Sequence, residues 1–257
     1  MKLNVNTKAQ ICAETNGTVV VTMGDSITGM YVDGGSVAGK LAEITGTTTY
    51  NCGFGGAQMA TMTSADFRPF SMWMLADAIV SGDFTVQEEK AAIDTMPEYF
   101  ADHVVSLKKL DFSKVNIVTI GYGTNDFTAS IKIDNASDKY DVTSFGGALR
   151  YSIEKLMSAY PNLRIVLVAP TWRFWKDSSD NYLYDSDTHE IGNQKLHDFV
   201  DKTVEIAKQY HLPVVNPYDE MGINKFNYPL WFRDGTHPND VGQWMLAKLI
   251  AKTLSGM

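Results

Sequence analysis

The sequence is poor in cysteine and in positive charge, and each shortage excludes a class of protein. Its 257 residues include two cysteines, Cys12 and Cys52, with no Cys/His spacing typical of zinc sites. Two free thiols are therefore expected, without a disulfide framework or a structural metal. The 22 basic residues are outnumbered by 30 acidic ones, a formal net charge of -8, which argues against nucleic acid or an anionic membrane surface as a partner.

Long apolar runs are also missing. No run approaches the roughly 20 residues that cross a bilayer, and the start, MKLNVNTKAQ, lacks the apolar stretch of a signal peptide. The chain as it stands is therefore expected to be cytoplasmic, although a trimmed secreted protein or part of a phage or surface assembly would have the same pattern. No phosphate-binding loop and no second cluster of carboxylates is present, so no cofactor or metal is expected. The oligomeric state is left open.

Five short runs rich in valine, isoleucine and threonine predict β-strands. They are TVVVTM (from Thr18), TTTYNC (from Thr47), VNIVTIG (from Val115), RIVLVAP (from Arg164) and LPVVNPY (from Leu212). Each run is nearly continuous rather than alternating, which is typical of strands covered on both faces of a parallel sheet. Helical patterns separate the runs, so the sequence predicts a three-layer α/β/α sandwich around a five-stranded parallel sheet.

The chain is expected to form a single domain with its core at about 18–253. The longest insertion between strands covers about 57–113. Two segments of this insertion, PFSMWMLADAIVSG and VQEEKAAIDTMPEYFADHVVSLKKL, are each predicted to be helical. No composition shift marks a second domain.

Polar or glycine-rich turns follow the strands at four places. They are Gly24-Asp25-Ser26, NCGFGGAQ (51–58), GYGTNDF (121–127) and RDGTHPND (233–240). Ligands of parallel sheets bind beyond the carboxyl ends of the strands, so these turns are expected to meet at one edge. No single turn is specific, but their convergence predicts a functional site.

Three side chains in these turns supply what acyl transfer requires. Ser26 can act as the nucleophile and His237 as the base, because an imidazole titrates near neutral pH. Asp234 precedes the histidine by three residues, a spacing that lets a carboxylate reach the ring and orient it. The structural alternative is that Ser26 only caps a helix after a tight turn.

Hydrogen-bond donors for a developing oxyanion are present in the same turns. A glycine amide of GFGG, the side-chain amide of Asn125 and the backbone amide of Ser26 fit this need. Two acidic neighbours, Asp25 and Asp126, are expected to accept hydrogen bonds from nearby turn amides rather than to act in the chemistry.

The segments GDSIT, NCGFGG, GTND and DGTHP, in this order, resemble the four blocks of the SGNH/GDSL hydrolase family. The resemblance covers residues 18 to about 253. It implies a flavodoxin-like α/β/α fold with five central strands and a serine ester hydrolase. The chain departs from the pattern at Gly55, where many members have a serine, which leaves open which of two neighbouring glycines serves the oxyanion.

The resemblance also implies a role for each matching residue. Ser26 would be the nucleophile, His237 the base and Asp234 its partner. The oxyanion hole would consist of the amides of Ser26 and Gly56 and the side chain of Asn125. No cofactor is implied.

Aromatic side chains beside these blocks suggest a substrate class. Trp172 and Trp175 lie in the loop TWRFWKDSSDNYLYDSD, and Trp231 lies three residues before Asp234. Flat rings among polar residues suit sugars, so these tryptophans are candidate substrate contacts in a carbohydrate O-acetylesterase. The alternatives are a general short-chain esterase or lysophospholipase-type lipase, and a catalytically relaxed carbohydrate-binding module. The rings could equally pack the loop onto the body.

Overall fold

The five predicted strands form one parallel sheet in the computed structural model, which describes residues 17–31 and 34–256. The described residues form seven strands in all: β1 (Val19–Gly24), β2 (Thr48–Gly53), β3 (Ile117–Gly121), β4 (Arg164–Val168), β5 (Phe174–Lys176), β6 (Tyr182–Asp185) and β7 (Val214–Val215). The sheet has the order β2-β1-β3-β4-β7, and every neighbouring pair is parallel. β5 and β6 form a separate antiparallel hairpin in a segment that the sequence predicts to be a loop.

Ten helices of the described residues connect or follow the strands. They are α1 (Ser26–Gly29), α2 (Val37–Thr45), α3 (Met72–Ser81), α4 (Thr85–Ala91), α5 (Tyr99–Lys109), α6 (Thr124–Thr128), α7 (Phe145–Ala159), α8 (Leu196–Gln209), α9 (Pro217–Glu220) and α10 (Asp240–Leu254). Single 3₁₀ turns occupy Arg68–Phe70, Phe112–Lys114 and Tyr228–Leu230. Gly46 ends α2 with φ 74°, a left-handed conformation that glycine adopts without a steric penalty.

Two buried apolar clusters lie on opposite faces of the sheet. Val20 of β1 packs on one face with residues of α2 and α10. Its neighbour Val21 packs on the other face with residues of α3, α5, α7 and α8. Successive side chains of a strand point to opposite faces, so a nearly continuous apolar strand must be covered twice. This arrangement confirms the predicted three-layer α/β/α sandwich.

The second helical segment of the insertion is two helices rather than one. α4 ends at Ala91 and α5 begins at Tyr99. Pro97 lies in the connection; proline lacks an N–H, and it disfavours helical backbone in the residue before it. After the break, Tyr99 at the start of α5 lies within hydrogen-bond distance of Gly55, in the loop after β2.

Cys52 is a free, buried thiol, whereas Cys12 lies outside the described residues. Within the described parts of the chain, no helix is both long and apolar enough to span a bilayer.

Candidate active site

Three strands end at the same level of the sheet, and each ends on a glycine. Gly24 of β1 is paired with Gly53 of β2 and with Gly121 of β3. A Cβ on Gly24 would lie 2.6 Å from the carbonyl oxygen of Gly121, so a larger residue cannot fit without moving the backbone. The aligned ends place the loops after β1, β2 and β3 at one edge, as predicted from the sequence.

Ser26 is the first residue of the short helix α1. Asp25 caps this helix, because its carboxylate accepts a hydrogen bond of 2.9 Å from the backbone N–H of Ile27. The predicted hydrogen bond between Asp25 and a turn amide is therefore confirmed. Burial raises the pKa of Asp25 to about 7, against the opposing effect of that backbone donor. Ser26 itself is 8% exposed, and what remains exposed lies at the cleft.

Ser26, His237 and Asp234 form a continuous chain of hydrogen bonds. The Oγ of Ser26 lies 2.9 Å from Nε2 of His237. On the other side of the ring, Nδ1 lies 2.9 Å from Oδ2 and 3.1 Å from Oδ1 of Asp234. An ionised carboxylate can accept hydrogen bonds but cannot donate them. Nδ1 therefore carries a proton, and Nε2 is left to accept from the serine.

The carboxylate of Asp234 is held by its own loop. Its Oδ1 accepts hydrogen bonds from the backbone N–H groups of Thr236 at 2.8 Å and of His237 at 2.7 Å. Burial raises the pKa of Asp234, but these donors and the ring of His237 outweigh it and bring the pKa below its ordinary value. The group is therefore ionised at neutral pH.

The loop that carries His237 is pinned at both ends. The backbone N–H of Arg233 donates to the carbonyl oxygen of His237 at 2.9 Å. Asn239 caps α10 by accepting from the N–H of Gly242, and its own N–H donates to the carbonyl oxygen of Trp231. The position of the imidazole therefore follows from the start of α10.

The loop after β2 presents two glycines with different environments. The N–H of Gly55 donates to the hydroxyl oxygen of Tyr99 at 3.0 Å, and a Cβ at this position would lie 2.5 Å from that oxygen. Tyr99 thus explains why Gly55 replaces the serine of the resemblance. Gly56 has φ 77°, in the left-handed region, and its N–H has no acceptor among the described residues.

Asn125 is the second residue of α6, the short helix after β3, and is tied to the loop after β2. Its side-chain Nδ2 donates to the carbonyl oxygen of Ala57 at 3.0 Å. The neighbouring carboxylate of Asp126 accepts from the N–H groups of Met59 and Ala60, both at 3.0 Å, as predicted. These bonds hold Asn125 and Gly56 on the same wall of the cleft.

The cleft around Ser26 has a volume of about 540 Å³. Its lining consists of Ser26, Met30, Gly55, Gly56, Pro97, Tyr99, Asn125, Thr128, Arg173, Thr236 and His237. The structure thus brings five predicted site residues together around this cleft: Ser26, Gly56, Asn125, Asp234 and His237. Sequence reasoning missed Tyr99, Thr128 and Arg173. Arg173 lies in the aromatic loop after β4. This position beyond the carboxyl end of a strand was the sequence feature that could have identified it as a site residue.

The three tryptophans predicted to bind substrate lie outside this lining. Trp172 is 1% exposed, and its Nε1 donates to Asp187 at 2.9 Å. Such a ring has no face to offer a sugar, so the expectation for Trp172 is wrong. Trp175 packs on Tyr184, and the indole nitrogen of Trp231 is buried. For these two rings, packing of the loop is the function that the contacts support.

A parallel sheet with serine, histidine and aspartate assembled at its carboxyl edge defines a three-layer α/β ester hydrolase. Residues 22–245 match the model of the GDSL-like lipase/acylhydrolase family. The chain belongs to this family and is a carboxylic ester hydrolase.

Solved structures show the same fold at low sequence identity. A possible lipase from Chitinophaga pinensis is 19% identical, covering 92% of this chain and 97% of that chain, with a TM-score of 0.60. A carbohydrate acetylesterase from Sinorhizobium meliloti is 15% identical (93% and 99% covered, TM-score 0.56). A salicylyl-acyltransferase from a tetracycline biosynthetic pathway is 15% identical (94% and 55% covered, TM-score 0.55). No curated protein matches the sequence significantly.

Proposed function

We propose that this ester hydrolase acts through an acyl-serine intermediate on Ser26 and that its substrates are O-acetylated carbohydrates. The observation that carries the mechanism is the hydrogen-bonded chain from Ser26 through His237 to Asp234, with 2.9 Å at each link. Nucleophile, base and orienting carboxylate are within hydrogen-bond reach of one another.

The reaction begins with proton transfer. Nε2 of His237 accepts the hydroxyl proton of Ser26 while Oγ attacks the ester carbonyl carbon. The ionised carboxylate of Asp234 stabilises the imidazolium and keeps its orientation. Collapse of the tetrahedral intermediate breaks the ester C–O bond, and His237 protonates the departing alcohol. A water molecule, deprotonated by His237, then releases the acyl group as a carboxylate and restores Ser26.

We assign three donors to the oxyanion hole. The backbone N–H groups of Ser26 and Gly56 have no acceptor among the described residues, so both are free to donate. The amide of Asn125 carries two hydrogens; one is engaged by the carbonyl oxygen of Ala57, which orients the other. Gly55 is the weaker candidate, because its N–H already donates to Tyr99.

Polar groups in the lining of the cleft support a polar alcohol in the substrate, within a lining whose exposed surface is mostly apolar. Met30 and Pro97 are its apolar side chains, whereas Tyr99, Asn125, Thr128, Arg173 and Thr236 offer hydroxyl, amide or guanidinium groups. A long acyl chain needs a continuous apolar groove. The likeness to a carbohydrate acetylesterase supports the same substrate class. A general short-chain esterase or lysophospholipase-type lipase is the competing assignment, since the family includes lipases.

The decisive experiment compares Ser26→Ala with the wild type. We expect Ser26→Ala to lose at least roughly a thousandfold in kcat on p-nitrophenyl acetate and all labelling by a fluorophosphonate probe, with an unchanged melting temperature. The exposed Ser179 provides the control variant Ser179→Ala, which should retain both. Wild-type rates in Ser26→Ala would rule out the acyl-serine.

A substrate panel separates the two assignments. Acetylated xylan, acetylated amino sugars and p-nitrophenyl esters of increasing chain length are compared by kcat/KM. The carbohydrate assignment predicts release of acetate from at least one glycan and a steep loss of kcat/KM beyond short acyl chains. A preference for acyl chains of about eight carbons or longer would favour the lipase instead.

A further inference from the structure

The cleft contains a guanidinium group that the acyl-transfer mechanism does not use. Among the described residues that line the cleft of Ser26, Arg173 is the only lysine or arginine. Its Nη1 donates to Oγ1 of Thr128 at 3.0 Å. The centre of the guanidinium lies 4.5 Å from the ring centroid of Trp175. The position of this cation is therefore set by a stacking contact and one hydrogen bond.

Arg173 has no carboxylate within ion-pair distance among the described residues. Its Nε is buried, and no described residue accepts from it. Burial lowers the pKa of Arg173 to about 10, although Asp25 and Asp234 act in the opposite direction from a distance. An arginine with this pKa is still a cation at neutral pH.

Among the described residues, the two cations with buried side chains, Arg150 and Lys40, are each paired with a carboxylate. Arg150 makes a two-pronged contact with Asp134, at 2.8 and 2.9 Å. Lys40, whose side chain is 4% exposed, lies 2.5 Å from the carboxylate of Asp240. Removing a cation from water is costly unless an anion compensates for the lost hydration. Arg173 differs from these residues in facing a cleft instead of a carboxylate.

A guanidinium held in this way is suited to binding an oxyanion. Its planar fork matches the two oxygens of a carboxylate or phosphate. Stacking on Trp175 and the bond to Thr128 limit its rotation in advance, which lowers the entropy lost on binding. The overall charge of -8 would repel an acidic substrate, so a local cation beside Ser26 would be needed to hold one.

We propose that Arg173 binds an anionic group of the substrate, so that the enzyme prefers acetyl esters that carry a carboxylate or a phosphate. This inference rests on the proposed function, because the ester must be positioned at Ser26. In a carbohydrate substrate, the anion would be a carboxylate or phosphate on a sugar close to the O-acetyl group. Arg173 is then a specificity residue, which contacts the substrate away from the scissile bond.

Two pairs of acetyl esters that differ in charge test the proposal. One pair is 4-acetoxybenzoate and its methyl ester, and the other is 4-acetoxyphenyl phosphate and 4-methoxyphenyl acetate. The enzymes are the wild type, Arg173→Gln, Arg173→Lys and, as a control with the same charge change at an exposed position, Lys132→Gln. Melting temperatures verify that each variant folds.

In Arg173→Gln, we expect kcat/KM for at least one anionic ester to fall roughly 10- to 100-fold, mostly through KM. Its neutral counterpart should change less than about threefold. Arg173→Lys should retain part of the preference, since it keeps the charge and loses the fork. The pair that responds identifies a carboxylate or a phosphate as the ligand. Lys132→Gln should alter neither pair.

Two outcomes overturn the proposal, and they can be told apart from failure of the proposed function. An equal loss on charged and neutral esters means that Arg173 only supports the hairpin β5–β6. A wild type that hydrolyses both pairs without preferring either anion also overturns it. If no ester is hydrolysed and Ser26 is not labelled, the proposed function itself fails, and this inference fails with it.

Discussion

Asp25 is a carboxyl group buried directly beside the serine that we propose as nucleophile. It is 2% exposed, and its hydrogen bond to the N–H of Ile27 holds the start of α1. Asp126, next to Asn125, is also buried, and burial raises its pKa to about 6. Both carboxyl groups therefore have a structural role, and their ionisation destabilises the folded state.

The variant Asp25→Asn should change how stability depends on pH. The pKa of Asp25 is about 7 in the folded protein and about 3.9 in an unfolded chain. The folded state thus retains the proton to higher pH, so this group's contribution to stability is present below about pH 4 and is lost as the pH rises through 7. Asparagine cannot ionise, and its amide oxygen still accepts from Ile27.

We expect the free energy of unfolding of Asp25→Asn, relative to the wild type, to increase between pH 4 and pH 8. Urea unfolding at several pH values measures this difference, with Asp94→Asn on an exposed turn as the control. Parallel pH curves for wild type and Asp25→Asn would show that Asp25 carries no raised pKa.

Among the helices and strands, α5 makes contacts with the end of β2 and the loop after it that the sequence did not predict. His103 is buried, and burial lowers its pKa, so the ring is neutral. Its Nδ1 lies 2.7 Å from the carbonyl oxygen of Gly53 and must donate to it, because a carbonyl only accepts. Tyr99, one turn earlier, accepts from Gly55. The insertion is thus bonded to the loop that carries Gly56.

Phe100 secures α5 to the core, and its truncation should loosen this attachment. It is fully buried and contacts the rings of Phe54 and Phe70 at centroid distances of 5.1 and 4.8 Å. We expect Phe100→Ala to lower the free energy of unfolding by about 3–5 kcal/mol, measured by urea denaturation. Val105→Ala on the same helix, at a position 42% exposed, should cost less than about 1 kcal/mol. Equal effects would refute this packing role.

At the scale of the whole molecule, the last described helix contacts the two helices that follow the first strand. Gln243 of α10 is fully buried, and its Nε2 donates to the carbonyl oxygen of Ile27 at 3.0 Å. At the first residue of α10, Asp240, the helix contacts Lys40 of α2. The C-terminal helix therefore holds both the loop of His237 and the helix of Ser26.

Replacing Gln243 should affect stability and catalysis together. Gln243→Ala leaves the carbonyl of Ile27 buried without its donor, which costs about 1–3 kcal/mol. It also frees α1 to shift, so kcat on p-nitrophenyl acetate should fall. Thermal unfolding and kcat are compared with Lys248→Ala, an exposed position of the same helix, which should alter neither. Unchanged kcat in a destabilised Gln243→Ala would separate this contact from the site.

The strand runs and the turn residues were sufficient to predict the sheet and the meeting of Ser26, Asn125 and His237 at one of its edges. A strand covered on both faces is apolar along its length, and a turn at a parallel sheet edge needs glycine or a short polar side chain, so both leave a local mark. For this reason, the segments around Ser26, Asn125 and His237 were recognisable before their distances were known.

Other features were decided by contacts between residues far apart in the chain. Trp172 and Arg173 are neighbours in the sequence, yet one is buried against Asp187 and the other faces the cleft beside Thr128. The helix break before Tyr99 brings its hydroxyl to Gly55, 44 positions away. Local sequence determined the elements because backbone preference is short-range. Only packing decided which side chains face the cleft, because burial depends on every element that a side chain meets.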